Sequence, residues 1–341
     1  VNSLLEDTGR QCIWIGTEGY LFQYFPSTGQ MKQTEAFHNN SIKSLALDGN
    51  GYLLAGTDNG LYVYHNDVTP LQHIIHDSRN IQSLTNNIIW NIFADQEHNI
   101  WLGTDYGISL SRYNSALQFI PISQITGTGD GNQFYSLFRD SKGFYWFGGT
   151  NGLIRFTDPA GDKHNAIWYR MGDKTYPLSH NRIRHIYEDK EQQLWIATDG
   201  SINRYDYATR QFVHYNIVDS TGTYNTNWTY YMFEDNAGHL WISTCLGGIF
   251  VVDKHRLMQS ASGQYVAEQN YSVHNGLSGM FINQIIPDNE GNVWVLLYNN
   301  KGIDKINPRT REVTKLFADE LNGEKSPNYL LCDEDGMLWV G

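Results

Sequence analysis

An aspartate recurs along this sequence, and the residue five positions before it is repeatedly of a type that could bind a ligand. The positions six, three and two residues before the same aspartate are mostly apolar, which indicates a buried strand. Burial in a core would not select the mixture of cations, aromatic residues and amides found at the fifth position. Its members are Asn2, Lys43, Trp90, Tyr135, Arg184, Tyr230 and Asn283.

This mixture of side chains suits a hydroxylated ligand. Aromatic rings stack on the CH faces of a sugar, while amides and cations bond its hydroxyl or carboxylate groups. We therefore predict that Lys43, Trp90, Tyr135, Arg184, Tyr230 and Asn283 bind an oligosaccharide, neutral or acidic. His185, at the polar position that follows, joins this candidate set. The alternative is a solvated lining that binds only water and keeps neighbouring strands in register.

Catalytic chemistry has less support in the sequence. A glycosidase needs two carboxylates across a cleft, but turns already explain the recurring aspartates. His180 or His185 could serve a lyase, although an isolated histidine is more often structural. We find no nucleophile beside a base, no phosphate-binding loop and no metal-ligand spacing. We predict no catalytic residues, no metal and no cofactor, and keep a lyase or glycosidase as an alternative.

The elements that position these residues come from a segment that occurs eight times. Each copy has an aspartate, a short turn, and then tryptophan between apolar residues. The anchors are Trp14, Leu54 in place of tryptophan, Trp101, Trp146, Trp195, Trp241, Trp294 and Trp339, at spacings of 40, 47, 45, 49, 46, 53 and 45 residues. A period of this length is typical of a repeat architecture. Because the tryptophans stand in mid-strand, we predict that they pack between neighbouring repeats.

One repeat, taken as a specimen, contains four strands. IIWNIFAD (88–95) and IWLGT (100–104) flank a turn, ISLSRYN (108–114) follows, and the more polar LQFIPI (117–122) is typical of an edge strand. Four short antiparallel strands form one blade of a β-propeller, and no segment has a helical period. We therefore predict an all-β fold, a seven-bladed β-propeller of four-stranded antiparallel blades. Its first strands would line the central axis and gather the candidate residues into a ring.

Seven repeats are complete, and the eighth has only its first two strands. We predict a propeller over residues 1–326, with residues 327–341 as the start of a further blade, belonging to a second propeller. The alternative is eight blades, the last completed by a segment outside this sequence. The predicted first strands of the seven complete repeats begin at Val1, Ile42, Ile89, Phe134, Ile183, Thr229 and Ile282.

The recurring aspartates lie in the turn between the first and second strands. An aspartate in such a turn accepts backbone N–H bonds. We interpret Asp58 and Asp105, which follow second strands, as residues of another turn. The aspartates of the first turn are Asp7, Asp48, Asp95, Asp140, Asp189, Asp235, Asp288 and Asp333.

Composition narrows the classes of function. The 341 residues include 24 Lys and Arg against 36 Asp and Glu, a formal net charge of −12. This balance argues against binding of nucleic acid, which favours a basic surface. Cys12, Cys245 and Cys332 are far apart and are expected to be free thiols. No run of 18 apolar residues occurs, and the repeats continue to both ends, so we expect a segment of a longer protein.

The repeat closely resembles the two-component regulator propeller repeat. The unit NxVxxIxxDxxGxLWIGTxxGLxxYD is met by NWTYYMFEDNAGHLWISTCLGGIFVVD (227–253) and by residues 182–206. The phrase GLS before a first strand occurs in HNGLSGMFINQII (274–286), with looser forms at 176–187 and 82–93. The resemblance covers essentially the whole chain and is specific at the level of the family.

The resemblance implies a non-catalytic sensor segment in the periplasmic part of an inner-membrane protein. Such repeats belong to hybrid two-component systems that detect oligosaccharides released from glycans and control transcription of glycan-utilisation genes. The partners it implies are an oligosaccharide, a second propeller, a β-sandwich, a membrane helix and a histidine kinase of the same chain, and a second copy in a homodimer. Kinase activity would belong to those further domains. A protein-interaction scaffold of the WD type is another alternative, although the GH and WD signatures are absent.

Overall fold

A computed structural model describes most of this chain. The described residues are 1–34, 40–113, 119–121, 132–157, 166–175, 177–260, 264–298, 302–316, 327–333 and 335–341. They divide into two compact units: unit 1, Val1–Trp168 with Gly341, and unit 2, Tyr169–Val340. Each unit is a series of small antiparallel sheets, numbered here in chain order.

Unit 1 holds sheets 1 to 4, each of four strands in sequence order. Sheet 1 has β1 (Ser3–Asp7), β2 (Cys12–Gly16), β3 (Leu21–Phe25) and β4 (Gln30–Gln33), and sheet 2 has β5 (Ile42–Leu47), β6 (Leu53–Thr57), β7 (Gly60–Tyr64) and β8 (Pro70–Ile74). Sheet 3 has β9 (Ile89–Ala94), β10 (Ile100–Thr104), β11 (Gly107–Ser111) and β12 (Ile120–Pro121), and sheet 4 has β13 (Phe134–Arg139), β14 (Tyr145–Gly149), β15 (Gly152–Phe156) and β16 (Ile167–Tyr169).

Unit 2 holds sheets 5 to 8. Sheet 5 has β17 (Ile183–Glu188), β18 (Leu194–Thr198), β19 (Ser201–Asp206) and β20 (Gln211–Val218), extended by β24 (Gln264–Val266), which is parallel to β20. Sheet 6 has β21 (Thr229–Glu234), β22 (His239–Thr244), β23 (Ile249–Asp253) and β25 (Gln269–Tyr271). Sheet 7 has β26 (Ile282–Pro287), β27 (Val293–Leu297), β28 (Ile303–Asn307) and β29 (Glu312–Leu316), and sheet 8 pairs β30 (Leu330–Cys332) with β31 (Leu338–Val340).

The core lies between successive sheets within each unit. Trp14 packs with residues of sheets 1 and 2, Trp101 with sheets 3 and 4, Trp195 with sheets 5 and 6, and Trp241 with sheets 6 and 7. All four are fully buried. The prediction that the anchor residues pack between repeats is therefore confirmed for these positions. Leu54, which replaces tryptophan, fills the same role between sheets 2 and 3.

The turn aspartates have a second partner that the sequence did not indicate. In sheet 4, Asp140 Oδ1 accepts the N–H groups of Lys142 and Phe144, as predicted for the turn. Asp140 Oδ2 also accepts a 2.8 Å hydrogen bond from the indole nitrogen of Trp146. The same bond joins Trp14 to Asp7, Trp101 to Asp95, Trp195 to Asp189, Trp241 to Asp235, Trp294 to Asp288 and Trp339 to Asp333.

The predicted strands agree closely with the observed ones. Six of the seven first strands begin at the predicted residue, and the first begins at Ser3 instead of Val1. The fourth strand of the specimen repeat is short, Ile120–Pro121, and part of its predicted range lies outside the described residues. Among the described residues, the all-β prediction missed a short α-helix, α1 (Lys254–Gln259), and a single turn of 3-10 helix, Val273–Asn275. Seven blades over residues 1–326, followed by a new propeller, stay a prediction.

The helix α1 belongs to an insertion between the third and fourth strands of sheet 6. Its first residue, Lys254, is fully buried and places Nζ 2.8 Å from Glu234 Oε1 and 3.2 Å from Asp189 Oδ2. Burial alone would lower the pKa of Lys254, but the two carboxylates raise it above its ordinary value. Leu257 buries the apolar face of the helix in the core between sheets 5 and 6. A six-residue helix is too short to produce a recognisable period in sequence.

Two further predictions concern the cysteines and the membrane. Cys12 and Cys245 are free and buried, and Cys332 is free and half-buried. Among the described residues, no helix has the length and apolar character needed to cross a bilayer. The same residues include no group of three or more His, Cys, Asp or Glu side chains arranged to hold a metal ion.

Candidate ligand-binding surface on the bulged first strands

The candidate position is a β-bulge in the first strand. In sheet 5, Ile183 pairs with Thr198 and His185 with Ala197, so Arg184 is left out of the pairing. Lys43, Trp90, Tyr135, Tyr230 and Asn283 are skipped in the same way in their sheets. A bulge leaves one residue unpaired and redirects its side chain. This local geometry explains why one strand position escapes the apolar pattern of its neighbours.

In unit 1, the bulge residues of sheets 2 and 3 contact each other. Lys43 Nζ lies 4.2 Å from the ring centre of Trp90, a cation–π distance. The same ammonium group is 2.9 Å from Asp58 Oδ1, and the Trp90 indole donates to Asp105 Oδ1. Each carboxylate comes from the turn after the second strand of its own sheet. A cation, a carboxylate and the aromatic ring of the next sheet are thus in mutual contact.

The same arrangement recurs in unit 2 with different residues. Arg184 Nε lies 2.6 Å from Asp199 Oδ1, and a second guanidinium nitrogen lies 3.2 Å from Oδ2. The guanidinium carbon lies 4.5 Å from the ring centre of Tyr230. The rings of Tyr230 and Phe281 pack edge to face with their centres 5.4 Å apart, and Phe281 stacks on Tyr298 with ring centres 4.5 Å apart. These five side chains form a continuous row across sheets 5, 6 and 7, and Tyr298, at its end, is 47% exposed.

The structure adds two positions to the one found in sequence. The residue after the second strand supplies Asp58, Asp105 and Asp199, which sequence reasoning assigned to turns alone or passed over. Their position directly after a threonine that closes each second strand was the available signal. The other position lies seven residues before the turn aspartate and supplies Trp228 and Phe281. We call these two positions, together with the bulge position, the bulge face of each unit.

Trp228 is the most unusual residue of the bulge face. Its backbone φ is +55°, a conformation that bulky side chains rarely adopt. Two backbone hydrogen bonds hold it, because its N–H donates to Asp199 O and its carbonyl accepts from Cys245 N–H, each at 3.0 Å. The side chain is nevertheless 48% exposed. Strained backbone that presents an aromatic ring to solvent is a feature often found at functional sites.

The remaining predicted residues have different surroundings. Tyr135 is half-buried on the bulge of β13. Asn283 Nδ2 donates to the carbonyl of Asn328 at 3.4 Å, and Asn2 Nδ2 donates to Ser41 Oγ at 2.7 Å. The structure therefore brings Lys43 together with Trp90, and Arg184 together with Tyr230.

His185 contacts the next first strand of its unit. Its Nδ1 accepts a 3.4 Å hydrogen bond from Met232 N–H, and its ring stacks on Tyr231 with centres 4.1 Å apart. Burial lowers the pKa of His185 to about 4, so the ring is neutral at pH 7. Ser44 and Gln284, at the same position of sheets 2 and 7, also bond the backbone of the following first strand. These contacts give His185 a role in joining sheets, and its role in ligand binding stays a prediction.

Electrostatically, the bulge face is less basic than the sequence indicated. Asp58 pairs with Lys43, and Asp199 pairs with Arg184 and also lies 4.0 Å from Nε of the exposed Arg182. Burial raises the pKa of Tyr230, so its hydroxyl remains protonated at neutral pH. The surface thus offers aromatic rings, a phenolic hydroxyl and compensated ion pairs. These groups suit stacking and hydrogen bonding to an uncharged, hydroxylated molecule.

Comparison with known proteins identifies the repeats. The model of the two-component regulator propeller matches residues 83–106, 128–151 and 177–200. The chain therefore carries repeats of the two-component regulator propeller.

Two relatives connect these repeats with signalling proteins. The chain is 94% identical to the extracellular domain of the candidate hybrid two-component system BT4673 from B. thetaiotaomicron, with a TM-score of 0.64. That match covers 100% of this chain and 46% of the solved one. The chain is also 26% identical over 240 residues to histidine kinase P4 of Formosa agariphila, a match to 63% of this chain and 16% of the relative. It therefore spans less than half of either relative.

More distant solved structures show the fold alone. A streptogramin B lyase is 13% identical with a TM-score of 0.57, over 99% of this chain and 89% of the lyase. The WD40 β-propeller domain of Doa1 is 11% identical with a TM-score of 0.53, over 86% of this chain and 88% of that domain. The four-stranded sheets are accordingly blades of the β-propeller class.

Proposed function

We propose that this chain is the periplasmic sensor segment of a hybrid two-component system that detects an oligosaccharide derived from a glycan. In this proposal, binding passes through further domains of the same protein, acting as a homodimer, to a histidine kinase. The kinase then controls transcription of glycan-utilisation genes. A ligand can switch such a system only if it binds one arrangement of the domains more tightly than the other.

One observation carries the ligand part of this proposal. The row from Arg184 through Tyr230 and Phe281 to Tyr298 gives unit 2 an aromatic surface on the bulge face. Exposed Trp228 lies on the same face. Aromatic rings beside fixed polar groups are the usual recognition chemistry for sugars, because each sugar presents both CH faces and hydroxyl groups. Since Asp199 pairs with Arg184, we favour a neutral sugar over a uronic acid.

The signalling part rests on the matched repeats and on the relatives. The relatives are an extracellular domain and a histidine kinase, and this chain spans only part of each. Kinase activity is therefore assigned to the full-length protein and not to this segment. A propeller lyase or glycosidase is the alternative, and turnover of an oligosaccharide by the purified chain would favour it.

A thermal-shift screen against neutral and uronic-acid oligosaccharides tests the proposal. A ligand that binds the folded state raises the melting temperature as its concentration increases. We expect a neutral oligosaccharide to do so, and Tyr230→Ala or a combined Arg184→Ala and Trp90→Ala variant to weaken its binding at least tenfold.

Asn236→Ala is a matched control, since Asn236 is exposed in the turn at the other end of β21. It should bind like the unaltered chain. Equal affinities in all these proteins would remove the bulge face as the binding surface, whereas a complete lack of shifts would assign ligand recognition to other domains.

A further inference from the structure

Unit 2 contains a cleft that is lined by residues other than those of the bulge face. Its volume is about 440 Å³, within the range typical of small-ligand sites. One wall is the turn that follows β20, residues 219–224, and the other is the segment 267–275 around β25. None of the bulge-face residues lines it. The cleft therefore forms a separate candidate site on the same unit.

The first wall is held rigid by a buried carboxylate. Asp219 is only 7% exposed, and it accepts hydrogen bonds from Tyr224 N–H at 2.8 Å and from the N–H and hydroxyl of Thr221. Burial alone would raise the pKa of Asp219, but these hydrogen bonds together lower it below its ordinary value. The carboxylate is thus ionised and fixes the turn that presents Thr223 and Tyr224.

The second wall is fixed by its own polar contacts. Asn275 Oδ1 accepts from Ser272 N–H at 2.6 Å, and Asn275 Nδ2 donates to Asn270 O. Asn270 Nδ2 in turn donates to Gly247 O at 2.9 Å. The hydroxyl of Tyr224 and Nε2 of His274 approach to 3.3 Å and join the two walls. A site organised in this way loses little conformational entropy when a ligand binds.

The sequence builds this cleft through the insertion in sheet 6. Among the described sheets, sheet 6 is the only one in which the third strand does not pair with the strand that follows it in sequence. Its third strand, β23, pairs with β25 because α1 and β24 intervene. Burial of Lys254 and Leu257 anchors the insertion, and Ala267 adds to the core between sheets 5 and 6. Parallel pairing of β24 with β20 then sets the second wall opposite the turn.

We infer that this cleft is a second binding site for a neutral saccharide. Among the described residues that line it there is no lysine or arginine, which disfavours an anion. The lining offers an exposed carboxylate in Glu268, an amide in Gln269, a hydroxyl in Thr223 and a ring in Tyr224. Carboxylate and carbonyl oxygens accept bonds from sugar hydroxyls, while the tyrosine ring offers a stacking face. The inference extends the proposed function to a second site on the same unit.

The test uses the full chain and isothermal titration with neutral gluco-, xylo-, manno-, galacto- and arabino-oligosaccharides of two to four units. Two variants alter the cleft: Thr223→Trp fills it from an exposed position, and Tyr224→Ala removes the ring. Tyr230→Ala alters the bulge face alone. Melting temperatures within the error of the unaltered chain establish that each variant is folded.

For at least one oligosaccharide, we expect a binding event that both cleft variants weaken at least tenfold and that Tyr230→Ala leaves unchanged. The inference is overturned if the cleft variants give the same isotherms as the unaltered chain for every oligosaccharide, including the case of no binding. Loss of binding in Tyr230→Ala alone would overturn the cleft and keep the bulge face. If the cleft variants alone lose binding for every oligosaccharide that binds, the cleft is kept and the bulge face is overturned as a binding surface.

Discussion

The indole nitrogen of Trp146 donates a 2.8 Å hydrogen bond to Oδ2 of Asp140, at the turn that precedes its strand. This bond fastens the buried tryptophan to the turn between the first two strands. Sheet 2 lacks it, because Leu54 replaces tryptophan while Asp48 still accepts the N–H groups of Asn50 and Tyr52. The chain thus contains its own comparison between a turn with the indole bond and a turn without it.

We expect Asp140→Ala to destabilise the chain more than Asp48→Ala does. Both changes remove acceptors for two turn N–H groups, but only Asp140→Ala leaves a buried indole N–H without this carboxylate. An unsatisfied buried donor costs about 1–3 kcal/mol, so the free energy of unfolding should differ by about that amount. Urea unfolding of the two variants measures it. Equal losses would mean that the indole bond contributes nothing net to stability.

A second prediction concerns the pH dependence of stability. Because burial lowers the folded-state pKa of His185 to about 4 from 6.5, the unfolded chain binds a proton first as pH falls. The contribution of His185 to stability is complete above pH 6.5 and is lost progressively between pH 6.5 and about 4. His185→Gln should remove this part of the pH dependence, since Gln284 makes the equivalent inter-strand contact in sheet 7.

Unfolding curves of the two proteins between pH 4 and 8 provide the measurement. The variant should gain stability relative to the unaltered chain as pH falls, and the difference should level off near pH 4. Parallel curves across the whole range would show that His185 does not titrate differently in the folded and unfolded chains.

The buried ammonium group of Lys254 leads to a third prediction. Lys254→Ala would leave Glu234 and Asp189 without their buried counter-ion, and such losses cost about 3–5 kcal/mol. Lys190→Ala is the matched control, because Lys190 is exposed and exposed charges contribute about 0–1 kcal/mol. The folded pKa of Lys254 lies above its ordinary value of 10.5. Its contribution is therefore present at neutral pH and is lost only as pH rises through the folded pKa.

The free energy of unfolding at pH 7, measured for both lysine variants, tests this expectation. A loss for Lys254→Ala no larger than that for Lys190→Ala would mean that the two carboxylates find other partners or water. Retention of the difference at high salt would agree with a pair removed from solvent.

The fold was largely predictable because its signals are local and repeated. Tryptophan between apolar residues marks each second strand, and the turn aspartate marks the end of each first strand, so strand starts such as Ile42 and Ile282 were predicted correctly. The indole bond could not be foreseen, since the turn alone accounts for aspartate. The helix α1 and the parallel strand β24 were missed because each is too short for a periodic pattern of apolar residues to be recognised in its sequence.

The candidate site was predictable only in part. Lys43 and Arg184 stood out because a core strand does not select cations. Their partners were missed, because Asp58 was assigned to a turn alone and Asp199 was not singled out. Only the bulge, which redirects the side chain, brings cation, carboxylate and ring together. Trp228 had no sequence signal, since its exposure and its positive φ depend on hydrogen bonds to Asp199 and Cys245.

The pairing of Arg184 with Asp199 leads to a final prediction about ligand charge. Asp199→Asn would keep the size of the side chain but remove the negative charge that compensates the guanidinium group. An uncompensated arginine on the bulge face would favour carboxylate ligands, because bonds between guanidinium and carboxylate are strong and directional. We expect the variant to bind uronic-acid oligosaccharides at least tenfold more tightly than the unaltered chain does, with affinity that falls as salt increases.

Asp206→Asn is the control, since Asp206 is on the strand that follows and caps a turn through Ala208 N–H and Thr209 N–H. If Asp199→Asn and Asp206→Asn bind neutral and acidic oligosaccharides alike, Arg184 is not in contact with the ligand.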